Sequence, residues 1–350
     1  MNTQLNIPIT AFQPVDSTYL VNNMENQLNQ EMNRSINRLM HKKVIFNRIG
    51  SDLQPINGWE VPIPDLEAKH FTPSSQKITI AGIDSSCIHI AETDVGSVYA
   101  CRAAAVFSQH GKISKYIRIG PIIYYMDEIN ASKLSMESSG SPRLTKLFLL
   151  DRSLAQRVIR ERLERTFAFE LSKMLSNSII MIDGCLRQSK FEERGTDLRR
   201  LLEVARKNDN IVVGLSKTTR VGLLNRISQV LYDHHNLPAY LDIHDFVSPF
   251  LSHVEGHILL VRFSNDGHPF RVDLSSSTDI EKPLSHIISS DIFYHGYPET
   301  LRMAHHFSIF TATQSDSIKI YLVKNMGVVE IPSEDIRHTT LGSMNFCLTH

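Results

Sequence analysis

The chain has 350 residues, 42% of them apolar, so it can bury one large core or two smaller ones. Lys and Arg total 37, Asp and Glu total 37, and the formal net charge is zero. That balance excludes a protein held on nucleic acid by bulk charge and leaves room for a local basic groove.

Four cysteines (Cys87, Cys101, Cys185, Cys347) form no CxxC pair, so reduced thiols are expected. No run of about 18 apolar residues occurs, and the first residues lack a basic-then-apolar pattern. A cytoplasmic protein that does not cross a membrane is therefore expected. Histidines are scattered, and His234–His235 has no second pair at metal-ligand spacing.

In chain order, residues 18–42 read as a polar helix with Leu20, Met24, Leu28, Met32 and Leu39 near helical spacing. It suits either an arm on a partner or a peripheral helix on its own domain. Residues 50–76 carry Pro55, Pro62, Pro64 and Pro73 and read as an irregular connection. Strand-like runs follow at 77–84, 95–108 and 113–125, separated by turn signals at Asp94–Gly96 and His110–Gly111. Short links favour antiparallel neighbours. A polar stretch covers 131–143. A long helix is expected over 144–175, with a break near Asp151. It leads into a strand at Ser178–Asp183, and a crossover of that length can set this strand parallel to the first and beside it. The expected fold class is thus α/β, a mixed sheet of three antiparallel strands and a fourth parallel to the first, flanked by helices. Further on come a helix at 197–207, a short strand at 210–214, a helix at 221–232 and a hairpin over 256–274 turning at Asn265-Asp266-Gly267. A helix opened by Pro298 is expected at 299–312, and one or two strands at 318–331.

Asp84 closes the first strand and Asp183 closes the fourth. Neighbouring strands would bring both acids to one sheet edge, where their charges repel unless a cation lies between them. A carboxylate from the long helix would complete a three-acid cluster. Glu164 borders the stripe marked by Leu163 and Phe167, while Glu161 and Glu170 are the other choices nearby. The alternative for each Glu is a solvated helix charge paired with Arg160, Arg162 or Arg165. The alternative for Asp84 and Asp183 is a turn residue beside Ser85 or Gly184. Such a cluster suits two Mg²⁺ or Mn²⁺ ions, which activate water and stabilise the leaving oxygen in phosphodiester cleavage.

Five pieces in order resemble the NurA nucleases, whose fold is RNase H-like. They are Ile83-Asp84-Ser85-Ser86, Arg160-Glu161-Arg162-Leu163-Glu164, Ile182-Asp183-Gly184-Cys185-Leu186, Val213-Gly214-Leu215-Ser216-Lys217 and Gly296-Tyr297-Pro298 with Ala304-His305. The family usually has glycine where this chain has Ser85, and serine where it has Cys185. The resemblance implies that Asp84, Glu164, Asp183 and His305 carry the metals. It also implies a preference for manganese, since an imidazole suits Mn²⁺ better than Mg²⁺. It gives Lys217 a phosphate contact and Tyr297 a role in steering phosphate or water. His306 stands beside His305 as an alternative.

The resemblance further implies a DNA nuclease with 5′-to-3′ exonuclease and single-strand endonuclease activity. It implies a homodimer docked on a hexameric HerA-type translocase during double-strand break end resection. Residues 1–76 would be an N-terminal helical arm and connection, 77–335 the nuclease domain and 336–350 a C-terminal tail. Basic clusters at 187–190 and 194–200 are candidate walls for the DNA path, and Phe167 or Tyr297 are candidate stacking aromatics. The competing readings are a non-catalytic RNase H-like binding module and another two-metal enzyme of resolvase, transposase or Argonaute type.

Overall fold

A two-residue edge strand, β1 (Lys69–His70), precedes three long ones, β2 (Ile80–Glu92), β3 (Ser97–Gln109) and β4 (Lys112–Met126). They belong to a computed structural model that describes residues 66–138, 142–188, 196–217, 222–251, 253–276 and 279–331, with residues 24, 26, 43 and 44. Strands β2, β3 and β4 pair antiparallel in sequence order. The β3–β4 turn uses His110 and Gly111, both at positive φ (54° and 75°), the backbone that matches the twist of a tight hairpin. Free thiols of Cys87 and Cys101 face each other across β2 and β3, with sulfurs 3.2 Å apart.

Residues 131–143, expected only as a polar stretch, are largely helical: α1 spans Glu128–Ser138 and α2 begins at Pro142 and runs to Leu150. The long helix breaks where the sequence suggested. Asp151 caps α3 (Arg152–Met174), its Oδ1 accepting the Leu154 N–H at 2.9 Å. Then come β5 (Ile179–Asp183), α4 (Thr196–Lys207), β6 (Ile211–Ser216) and α5 (Gly222–Tyr232). The expected hairpin is β8 (His257–Arg262) with β9 (Phe270–Leu274), and a strand the sequence reading missed, β7 (Ala239–Asp242), pairs with β8. Among the described residues one mixed sheet has the order β1-β7-β8-β9-β6-β5-β2-β3-β4, and β5 runs parallel to both β2 and β6. Three antiparallel strands followed by a crossover to a parallel fourth is the RNase H-like arrangement.

Alternation along the strands splits the core between two faces. On one face Ala81, Ile83, Ala103, Ile180 and Ile182 pack with Leu163, Phe167 and Leu171 of α3. On the other, Ile80, Ile179, Met181 and Val213 pack with Leu284 and Ile287 of α6 (Glu281–Ser290) and Leu301 of α7 (Glu299–Ser308). Gly82 lets α7 approach closely. A Cβ there would stand 2.6 Å from the Thr300 carbonyl carbon and 2.7 Å from the Leu301 nitrogen.

The expected helix at 299–312 stops at Ser308, and 318–331 is not strand except for the two residues Val329–Glu330. Instead α8 spans Ala312–Met326, opened by a capping box between Thr311 and Gln314 and closed by Gly327 at φ 62°. The alternating Ile318, Ile320 and Leu322 suggested period two. In α8, Ile318 and Leu322 lie one turn apart and are buried, while Ile320 is 53% exposed. Of the helix expected at 18–42, the described residues are Met24 and Asn26, both helical, with Met24 fully buried in the α3-side core. The rest of that helix and the tail 336–350 lie outside the described residues. No described helix is long and apolar enough to cross a membrane.

Candidate metal centre

Pairing of β2 with β5 runs from Ile80↔Ile179 to Ile83↔Ile182 and then ceases, because β5 ends at Asp183 while β2 continues to Glu92. Past that point β2 stays paired with β3 but has no strand beside it on the β5 side. Asp84 sits where the pairing ends, and side chains from both faces reach it. The turn after Asp183 folds back tightly: the Gly184 N–H bonds the Leu215 carbonyl at 3.0 Å, and a Cβ on Gly214 would stand 2.7 Å from the Gly184 carbonyl oxygen.

Asp84 is 1% exposed. Its Oδ1 accepts the Ser85 N–H at 2.7 Å and its Oδ2 lies 2.7 Å from His305 Nδ1 on α7. Ser308 donates a longer bond to the same Oδ2 at 3.4 Å. One ligand atom each from Asp84, Asp183 and His305 lie within 4.8 Å of one another. Two carboxylates at that spacing repel by on the order of 3 kcal/mol at an effective dielectric of about 20. Burial, and then the Asp183 charge, push the Asp84 carboxyl above its ordinary range, while the His305 contact opposes the shift. On the outer side Lys217 Nζ is 2.9 Å from Asp183 Oδ2, and it also stands 5.0 Å over the Tyr297 ring. Lysine answers one carboxylate, and the ligand atoms of the two acids and His305 remain close enough together to share one divalent cation. Two carboxylates and an imidazole form a donor set that divalent Mn²⁺ or Mg²⁺ accepts.

Glu164 comes from the α3 face. It is buried, and its Oε2 accepts the Ser85 hydroxyl at 2.9 Å. Burial pushes its carboxyl up to about 8, with Arg160 opposing and Asp84 adding to the rise. It stands beside the three-ligand group and outside it. Of the alternatives left open, Glu161 is half-buried and Glu170 is buried against Lys173 at 2.5 Å. His306 is exposed and lies 3.4 Å from Arg302, away from the acids. Tyr297 is 9% exposed, and burial together with Asp183 and Asp84 raises the pKa of its phenol.

Thus Asp84, Asp183, His305, Lys217 and Tyr297 converge, with Glu164 one contact away through Ser85. Phe167 does not join them. It is fully buried between α3 and the sheet, so it has no face for a base. In the basic clusters, Arg199 pairs with Glu255 at 3.0 Å and Arg200 lies over the Phe169 ring. Residues 189–195 lie outside the described residues. The sequence reading missed Ser85 as the link between Glu164 and Asp84. Its signal was the hydroxyl immediately after the acid, where a glycine was expected.

The sheet order and the acids at the end of a parallel strand pair define an RNase H-like protein with a candidate metal centre. The family model of the NurA domain matches residues 78–308, and the chain belongs to the NurA family, a family of nucleases. Among solved structures, the NurA nuclease from Sulfolobus solfataricus is 16% identical, covering 89% of this chain and 95% of that one, at a TM-score of 0.46. A structure of NurA with manganese is 13% identical, covering 95% and 97%, at 0.36. The catalytic domain of human endonuclease V is 13% identical, covering 71% and 85%, at 0.34. No curated protein matches the sequence.

Proposed function

We propose that this chain is a metal-dependent DNA nuclease in which Asp84, Asp183 and His305 hold Mn²⁺, or Mg²⁺, with Glu164 serving a second ion. The observation that carries the reading is the meeting of those three ligand atoms within 4.8 Å at the end of β5. When bound, such ions supply a nucleophilic water at neutral pH and stabilise the charge that develops on the leaving oxygen. The protein's own residues do the rest. His305 is oriented by Asp84, and Ser85 fixes the rotamer of Glu164. Lys217 is held at the rim by Asp183 and by the Tyr297 ring. It exchanges its carboxylate for a phosphate oxygen when substrate arrives. The buried Tyr297 phenol stays protonated and orients phosphate or water as a donor.

The finer reading is that of the family: 5′-to-3′ exonuclease and single-strand endonuclease activity, acting in double-strand break end resection. In it a homodimer in the cytoplasm is fed by a hexameric HerA-type ATPase, with residues 1–76 as an arm and 77–335 as the nuclease domain. A net charge of zero supports the division of labour, since a motor that delivers the strand relieves the nuclease of gripping it. The test is cleavage of single-stranded and blunt duplex DNA with Mn²⁺, Mg²⁺ or EDTA, with Asp84→Ala and Asp183→Ala in parallel. Cutting in manganese that both substitutions abolish is expected. Cutting that persists in either variant refutes the metal mechanism, and cutting of RNA alone points to a different substrate.

A further inference from the structure

Along β2, the side chains at Ser85 and Cys87 lie on the α3 face, with Cys87 on the order of 7 Å beyond Ser85. On α3, Arg160 lies one turn before Glu164, and Arg157 and Gln156 lie roughly one turn before Arg160. Between these stretches is a cavity of about 350 Å³ lined by Cys87, Gln156, Arg157 and Arg160, with Asp151 and Ser153 at its far end. Of its lining residues Arg160, one helical turn from Glu164, comes nearest in the chain to the acid cluster.

Its chemistry is that of an anion site. The Ser85 hydroxyl that donates to Glu164 also lies 3.2 Å from the Arg160 carbonyl, so the root of Arg160 is fixed against the cluster. Burial alone would make the Arg160 guanidinium easier to deprotonate. The charges of Glu164, Asp84, Glu161 and Asp183 outweigh that and keep it cationic. Among the described residues no carboxylate forms an ion pair with it, in contrast to Arg271, Arg302 and Arg199. The Gln156 side chain donates to the Cys87 carbonyl at 3.5 Å, bracing the wall. Asp151, the acid at the far end, uses Oδ1 as the cap of α3. Cys87 adds no negative charge, because burial and the neighbouring Cys101 thiol keep it protonated. A planar guanidinium fork matches phosphate oxygens two at a time.

We propose that the cavity between α3 and β2 is a subsite for the phosphate one nucleotide away from the scissile one, bound by Arg160 with Arg157 at its side. The proposal rests on the nuclease reading for the identity of the scissile phosphate. The phosphate is either an internal linkage or the terminal phosphate of a strand end, and the experiment separates the two.

The full-length protein is titrated with a short fluorescent single-stranded DNA in calcium, by anisotropy. Each linkage in turn is replaced by a neutral methylphosphonate, and separate oligonucleotides carry or lack a 5′- or 3′-phosphate. One neutralised position is expected to weaken wild-type binding about tenfold. The same replacement is expected to leave Arg160→Met unaffected, with Arg160→Lys between the two. A terminal subsite appears as a phosphate-dependent end preference that Arg160→Met loses. Arg160→Met is expected still to bind manganese, read by calorimetry, so that a change in DNA binding does not come from an empty metal centre. The proposal is overturned if Arg160→Met binds every oligonucleotide as the wild type does, or if each neutral linkage weakens both proteins equally. Loss of manganese binding in Arg160→Met, or wild-type protein that fails to bind DNA, overturns it as well. Cleavage in manganese is scored separately. Position-dependent binding without any cutting removes the nuclease reading and keeps the phosphate subsite.

Discussion

Two aspartates of the same sheet are almost completely buried, and their surroundings are opposite. Asp273 on β9 is 0% exposed and accepts two bonds from Arg271, at 2.7 and 2.8 Å, and one from the Leu186 N–H at 3.0 Å. Asp84 on β2 is 1% exposed and faces another carboxylate, with the half-exposed imidazole of His305 as its side-chain partner. The first charge is neutralised from within the fold, and it holds the loop that follows Asp183. The second is left short of positive charge. A buried carboxylate without a matching cation costs several kcal/mol unless a ligand supplies one. The comparison separates an acid that maintains structure from one that is proposed to hold an ion.

Substitution should split the pair most strongly. Asp84→Ala is expected to abolish metal-dependent cleavage, a loss of more than about 100-fold, while leaving the metal-free melting temperature equal or higher, since like-charge repulsion is removed. Asp273→Ala is expected to cost about 3–5 kcal/mol of stability, because Arg271, itself 8% exposed, is left as an unpaired buried charge. Chemical denaturation of both variants measures the difference, and equal stability losses would break the comparison.

Metal addition sharpens it next. Manganese should raise the melting temperature of the wild type and of Asp273→Asn, and leave that of Asp84→Ala unmoved, as binding to the native state alone requires. A smaller effect is expected from pH. The Glu164 carboxyl, raised from 4.5 to about 8 in the folded chain, binds its proton more tightly than it does unfolded. The stability it contributes is therefore complete below about 4.5 and lost as pH rises through about 8. Melting in EDTA should fall over that window, Glu164→Gln should flatten the fall, and manganese affinity should rise with pH as the proton is displaced. The smallest change is expected at the rim. Lys217→Met should lower cleavage about tenfold through weaker phosphate contact, with little change in manganese affinity measured by calorimetry.

Much of this site was legible along the chain. Asp84 and Asp183 stood at the ends of apolar runs, Asp151 marked the helix break and Asn265-Asp266-Gly267 marked a hairpin, because strand ends, caps and turns are set by neighbours a few residues apart. Helix α8 was legible too, through the capping box at Thr311 and the glycine at 327, but the local alternation of Ile318, Ile320 and Leu322 pointed the other way.

The tertiary structure alone decided the rest. His305 meets Asp84 across 221 positions, Ser85 meets Glu164 across 79, and the two helices arrive from opposite faces of the sheet. Which of Glu161, Glu164 and Glu170 turns inward depends on the rotation of α3 about its axis, fixed by Leu163 and Phe167 seated on the sheet. Sequence settles where charges lie along an element. Only packing settles which of them lose their water and meet, since desolvation and repulsion arise between groups that the chain itself keeps far apart.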